Sequence, residues 1–170
     1  SHTIKVLEGE DLKYPVLLRL LSKEFESPNK NQKTIIPMIH KESVNIDLSR
    51  KKLKYFECNN DIPLQIEAFG PKTLRIISRL EFTEKMGSQE SYRIHVKSGT
   101  KVIGTYFFNT ERSGSSKIQG KSDKVPGKWR SCELKVSKGK NNYSIEVFDE
   151  GKTVLTRFML YWCDFYLFLI

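Results

Sequence analysis

The stretch Tyr92-Arg93-Ile94-His95-Val96-Lys97-Ser98-Gly99 decides the fold. Apolar and cationic side chains alternate with a period of two, so Tyr92, Ile94 and Val96 lie on one side of an extended chain. Arg93, His95 and Lys97 lie on the other. Ser98-Gly99 is a turn signal, and Val102–Asn109 returns as the partner strand of a hairpin.

The same period extends outward in both directions. Upstream, Leu74, Ile76, Leu80 and Phe82 share a side opposite Arg75, Ile77, Arg79 and Glu81. Before them, Leu64, Ile66 and Ala68 alternate with Gln65 and Glu67, and Gly70-Pro71 breaks the run. Val44–Leu48 and Leu53–Glu57 read as short strands. Downstream, Trp129–Val136 alternates, Gly139-Lys140-Asn141-Asn142 reads as a turn, and Tyr143–Val147 and Val154–Tyr161 complete the series. A parallel sheet needs long crossovers, and the sequence offers none after residue 44. The expected fold is therefore an all-β, mostly antiparallel β-sandwich or jelly roll of about eight strands, with a barrel as the alternative.

The N-terminal part reads differently. Pro15 suits a first helical turn, and Val16, Leu17, Leu20, Leu21 and Phe25 recur at helical spacing, so one short helix is expected over 10–26. A strand over Val16–Leu21 is the alternative. Residues 28–43 are polar and read as a linker. The division is then 1–43, helix and linker, and 44–170, the sandwich domain. Residues 109–128 form a long polar loop. The end, from Phe158 to Ile170, carries six aromatic rings and one charge, Asp164. It packs on its own domain, pairs with a protein partner, or aggregates.

The 170 residues carry 29 Lys and Arg against 20 Asp and Glu. Residues 71–142 hold 16 basic and 6 acidic side chains, so the whole excess lies in the middle of the chain. Such a field favours anionic partners, or only solubility. No apolar run reaches the roughly 18 residues of a membrane span.

Catalytic and cofactor signatures are missing. Gly120-Lys121-Ser122 has its upstream glycine at Gly114, one residue too far for a phosphate-binding loop, and a Pro-Gly pair follows where a helix is needed. His2, His40 and His95 form no metal-ligand spacing, and Cys58, Cys132 and Cys163 form no CxxC pair. No GxSxG or SxxK appears. The reading is no enzyme, no cofactor and no metal. The candidate ligand-binding residues are Arg75, Arg79, Arg93, His95, Trp129 and Arg130. The cations would share a sheet face if their strands pair, and Arg suits planar capture of an anion. Trp129 would offer a stacking surface at a strand start.

The succession of short strands with G-P, S-G and K-G-x-N turns, over about residues 44–162, looks like the carbohydrate-binding and other accessory β-sandwich modules of bacterial exported proteins. That resemblance implies a non-catalytic binding or adhesion module, exported to the periplasm or cell surface, with a glycan or other anionic ligand. Two alternatives stay open. One is a nucleic-acid binder using the basic middle segment. The other is a structural or assembly subunit pairing through its aromatic tail.

Overall fold

A computed structural model describes residues 32–49 and 51–162. The helix expected over 10–26 and the tail beyond Trp162 lie outside the described residues. The described chain is all-β. Its strands are β1 (Lys33–Ile35), β2 (Ser43–Leu48), β3 (Lys51–Cys58), β4 (Leu64–Phe82), β5 (Gln89–Ser98), β6 (Lys101–Glu111), β7 (Ser116–Ile118), β8 (Val125–Pro126), β9 (Arg130–Val147) and β10 (Val154–Tyr161). They join in the order β6-β5-β9-β4-β10-β3-β2-β7, with β1 on β10 and β8 on β4. Every pairing is antiparallel.

Two expected turns are not turns. Gly70-Pro71 lies inside β4, and Gly139-Lys140-Asn141-Asn142 lies inside β9. The two interruptions face each other, with Gly70 opposite Lys138 and Gly139 where the register shifts. A bulge bends the strand that carries it. Here it creases two long neighbouring strands at one place, so each serves both layers of the molecule. Gly70 is required by contact: a Cβ there would lie 2.1 Å from the Ser137 carbonyl oxygen. Gly139 takes a φ of 92°, open to glycine and strained for other residues. Asn141 ties the crease by donating from Nδ2 to the carbonyls of Ser137 and Gly139.

One layer comprises β6, β5, the end of β9 (Tyr143–Val147) and the start of β4. The other comprises the first half of β9, the second half of β4, then β10, β3, β2 and β7. Tyr92, Ile94, Ile145 and Ile66 from the first meet Leu74, Ile76, Leu80 and Phe158 from the second in one buried cluster. The Tyr92 hydroxyl and the Ser78 hydroxyl share a 2.8 Å hydrogen bond across the layers. Cys58 and Cys132 are buried free thiols pushed up to about 12, chiefly by burial, so both stay protonated at neutral pH.

The second layer curls until β7 lies beside β8, which itself pairs with β4. This encloses a smaller apolar cluster of Val44, Ile46, Tyr55, Ile118 and Leu155, with Ile77 of β4 against it. The side of β4 opposite Leu74, Ile76 and Leu80, which carries Ile77 and Arg79, is thereby a second interior rather than a solvated face. The linker expected over 28–43 also contains structure, because β1 pairs with β10 and Ile39 bridges to Gln65. The loop at 109–128 is likewise built in: β7 and β8 lie within it, and Arg112 bridges to Gly127. Strands of two or three residues are too short to show a legible period, so the sequence count of about eight misses them.

Candidate functional site

The six candidate residues do not share one face. β4 and β5 are not neighbours, because β9 stands between them. Arg79 is 5% exposed, donating from Nη1 to the Gly127 carbonyl (2.9 Å) and the Ser116 hydroxyl (3.3 Å). It braces the loop and has no free surface. Arg75 projects from the outer side of the second layer beside Glu133, its cross-strand partner at 3.6 Å. Arg93 and His95 project from the outer side of the first layer, since Tyr92, Ile94 and Val96 fill the core between the layers. Arg75 and Arg93 thus point away from that core on opposite sides.

The loop cations are also taken. Lys121 binds Glu57 and Glu81, Lys124 binds Glu81, and Lys128 binds Glu111. Burial works against the Lys121 ammonium, but hydrogen bonds and charge from Glu57 and Glu81 prevail and hold its pKa above the ordinary value. Arg112 spends its guanidinium on the carbonyls of Thr83, Met86 and Gly87. Much of the positive loop is therefore engaged in internal cross-linking rather than standing free for an anionic chain.

The outer face of β6–β5–β9 is a different kind of surface. Arg93 stands directly opposite Phe107 on β6, and His95 stands opposite Thr105 on β6 and Glu146 on β9. Asp149 takes the Arg93 backbone N–H at 2.6 Å through Oδ2, and Nε and Nη2 of the guanidinium at 3.1 and 2.7 Å through Oδ1. The guanidinium carbon lies 4.1 Å from the centroid of the Phe148 ring, and the His95 ring lies 4.8 Å from it on its own approach. Glu146 accepts Lys97 and stands 3.6 Å from His95 Nδ1. Phe107 and Phe148 nevertheless remain 62% and 47% exposed. Two aromatic rings therefore flank a set of locked polar groups on three adjacent strands.

Beside these residues opens a cleft of about 710 Å³. Its charged lining is balanced: Arg93, Lys97 and Lys152 against Glu146, Asp149 and Glu150. The face expected to be basic is neutral, because each strand cation meets an acid brought in by the end of β9 or the turn after it.

Burial pulls the Asp149 carboxyl up. The Arg93 hydrogen bonds and the charges of Arg93 and Lys152 outweigh it and hold the carboxyl below its ordinary value. The unfolded chain then binds that proton more readily, so this stability is present above the ordinary carboxylate pKa and is lost as pH falls through the folded value. Asp149→Asn should flatten the acid limb of a Tm-against-pH profile below about pH 4; a limb as steep as the parent's would contradict the pairing.

At the end of the same face a second cleft, of about 540 Å³, is lined by Glu90, Ser91, Asn109, Glu111 and Arg130 among others. Ser91 pairs with Asn109, two steps along the ladder from the Arg93–Phe107 pair and on the same face. Trp129, 55% exposed, stands between Lys128, bound to Glu111, and Arg130, which lines the cleft. So Arg93 and His95 share the outer face with Phe107 and Phe148, and Arg130 lines the cleft at its end, with the exposed Trp129 next to it in the chain. In the sequence Phe107 shows one signal: three consecutive aromatics at 106–108 cannot all face inward on a strand. Phe148 and Asp149 show none, because a turn residue's partner is set by long-range register.

No protein-family model matches the chain, and no curated protein matches it. Several solved structures are similar to it. The CBM36-1 domain of a multidomain xylanase from the hindgut metagenome of Trinervitermes trinervoides is 11% identical, covering 76% of this chain and 96% of that one, with a TM-score of 0.43. The C-terminal CBM6 of a marine laminarinase from Zobellia galactanivorans is 12% identical, covering 77% and 99%, with a TM-score of 0.37. A carbohydrate binding module from Cellvibrio mixtus lichenase 5A in complex with cellotriose is 13% identical, covering 77% and 97%, with a TM-score of 0.39. At TM-scores below 0.5 these likenesses bear on neither the site nor its ligand.

Proposed function

We propose that this chain is a non-catalytic glycan-binding module that holds its ligand on the outer face of β6, β5 and the end of β9. The observation that carries the reading is the pair of exposed rings, Phe107 and Phe148, set on either side of Arg93, with His95 and Asp149 held in place between strands. Sugar rings present apolar C–H faces to an aromatic surface and hydroxyls to neighbouring polar groups. Fixed Arg, His and carboxylate groups can donate to and accept from hydroxyls. The balanced charge of the cleft suits a neutral ring better than a polyanion. An exported bacterial setting belongs to the same proposal.

Phe107→Ala and Phe148→Ala should each weaken binding to the best ligand of a glycan array about tenfold, at unchanged Tm, by titration calorimetry. Arg75→Ala, on the far side, should leave affinity within about twofold. Equal losses from all three variants, or no ligand on the array, would sink the reading.

A further inference from the structure

Arg130 is held differently from the other cations of this side. Its Nε donates to the Asn109 carbonyl at 2.7 Å and its Nη1 to the Trp129 carbonyl at 2.9 Å. A guanidinium has five N–H donors; the other three have no partner among the described residues, and Arg130 forms no ion pair there. The two acids of its cleft are already neutralised, Glu90 by Lys152 and Glu111 by Lys128. Arg130 is thus the one cation lining the end cleft, within electrostatic reach of Glu111 but without an ion pair among the described residues, on a side chain whose orientation is fixed by two carbonyls. A fork that is oriented beforehand loses little conformational entropy when it binds. The exposed indole of Trp129 stands next to it in the chain, and from Asn109, which accepts Arg130, the Phe107–Arg93 pair lies two residues, about 7 Å, along β6.

We infer that the end cleft is a subsite for an acidic sugar, with Arg130 receiving the planar carboxylate of a uronate and Trp129 stacking on its ring. The inference rests on the glycan-binding reading of the adjoining face and narrows it. The preferred ligand is a chain mostly neutral along its length, with a uronate at the Arg130 end. A planar carboxylate accepts two parallel hydrogen bonds from a guanidinium edge, which a point-charge ammonium does not supply.

The test uses an array of matched glycans: oligogalacturonates, glucuronic-acid-bearing xylo-oligosaccharides, the methyl ester of each, and sulfated oligosaccharides. The acid forms should bind about tenfold or more tightly than their esters. Arg130→Gln should erase that difference while ester affinity holds, and Arg130→Lys should restore only part of it. Acid and ester bound equally, a preference surviving in Arg130→Gln, or sulfate preferred to carboxylate would each overturn the subsite and leave the platform standing. Failure to bind any acidic, esterified or neutral glycan would overturn the platform and the subsite together. A Tm within about 2 °C of the parent excludes misfolding of the variant as the cause of a lost preference.

Discussion

Gly70→Ala should lower the unfolding free energy by about 3 kcal/mol or more, at the top of the range for overpacking. The added methyl would lie 2.1 Å from the Ser137 carbonyl oxygen and 2.4 Å from that of Val136. Both are backbone atoms of the facing crease, and they cannot turn aside as the end of a side chain can. Relief requires the bulge itself to open, which separates β4 from β9 where the sheet folds over. Urea denaturation checks it. The control is Gly114→Ala, where an added Cβ meets nothing within 4 Å; its midpoint should not move. A loss below about 1 kcal/mol at Gly70 would mean that the two long strands do not crease together.

Glu81→Ala should cost about 3 kcal/mol, the lower end for removing one partner of a buried charge pair. Glu81 is 2% exposed and is bound by both Lys121 and Lys124. Without it the two ammonium groups lose a shared counter-ion, and Arg79 remains buried two residues away. Both lysines keep some contact with water, which tempers the cost. Glu81→Gln, which preserves shape, should cost less than the alanine variant. If Glu81→Ala unfolds at the parent's denaturant midpoint, the loop at 109–128 is not fastened through this cluster.

Where side chains alternate over long runs, the sequence already carries the architecture. The inward sets Tyr92-Ile94-Val96, Leu74-Ile76-Leu80 and Tyr143-Ile145-Val147 are those of the observed core. The antiparallel character followed from the missing crossovers. Three things were hidden, for physical reasons. Glycine beside Pro or Asn is the mark of a turn, yet the same residues build a bulge when two strands crease face to face. The second interior depends on a curl of the sheet, so Arg79 and Glu81, polar and in phase with Ile77, look wet until β7 and β8 close over them. The site depends on register. Arg93, His95 and Arg130 were legible as candidates, but their partners Asp149, Glu146, Phe148 and Asn109 come from 21 to 56 residues away. Charge counting along the chain found an excess of cations and could not find which of them meet an acid, as Arg93, Lys97, Lys121 and Lys124 do.

The central claim is that the outer face of β6, β5 and the end of β9, which carries Phe107 and Phe148, is where a glycan sits. Titrating isotopically labelled protein with the best array ligand and following backbone amide resonances tests it most directly. Shifts should cluster on β5, β6, the end of β9 and residues 128–130, and saturate together. Shifts centred on Arg75, Glu133 and Tyr161 across the molecule, or resonances that do not move at all, would contradict it.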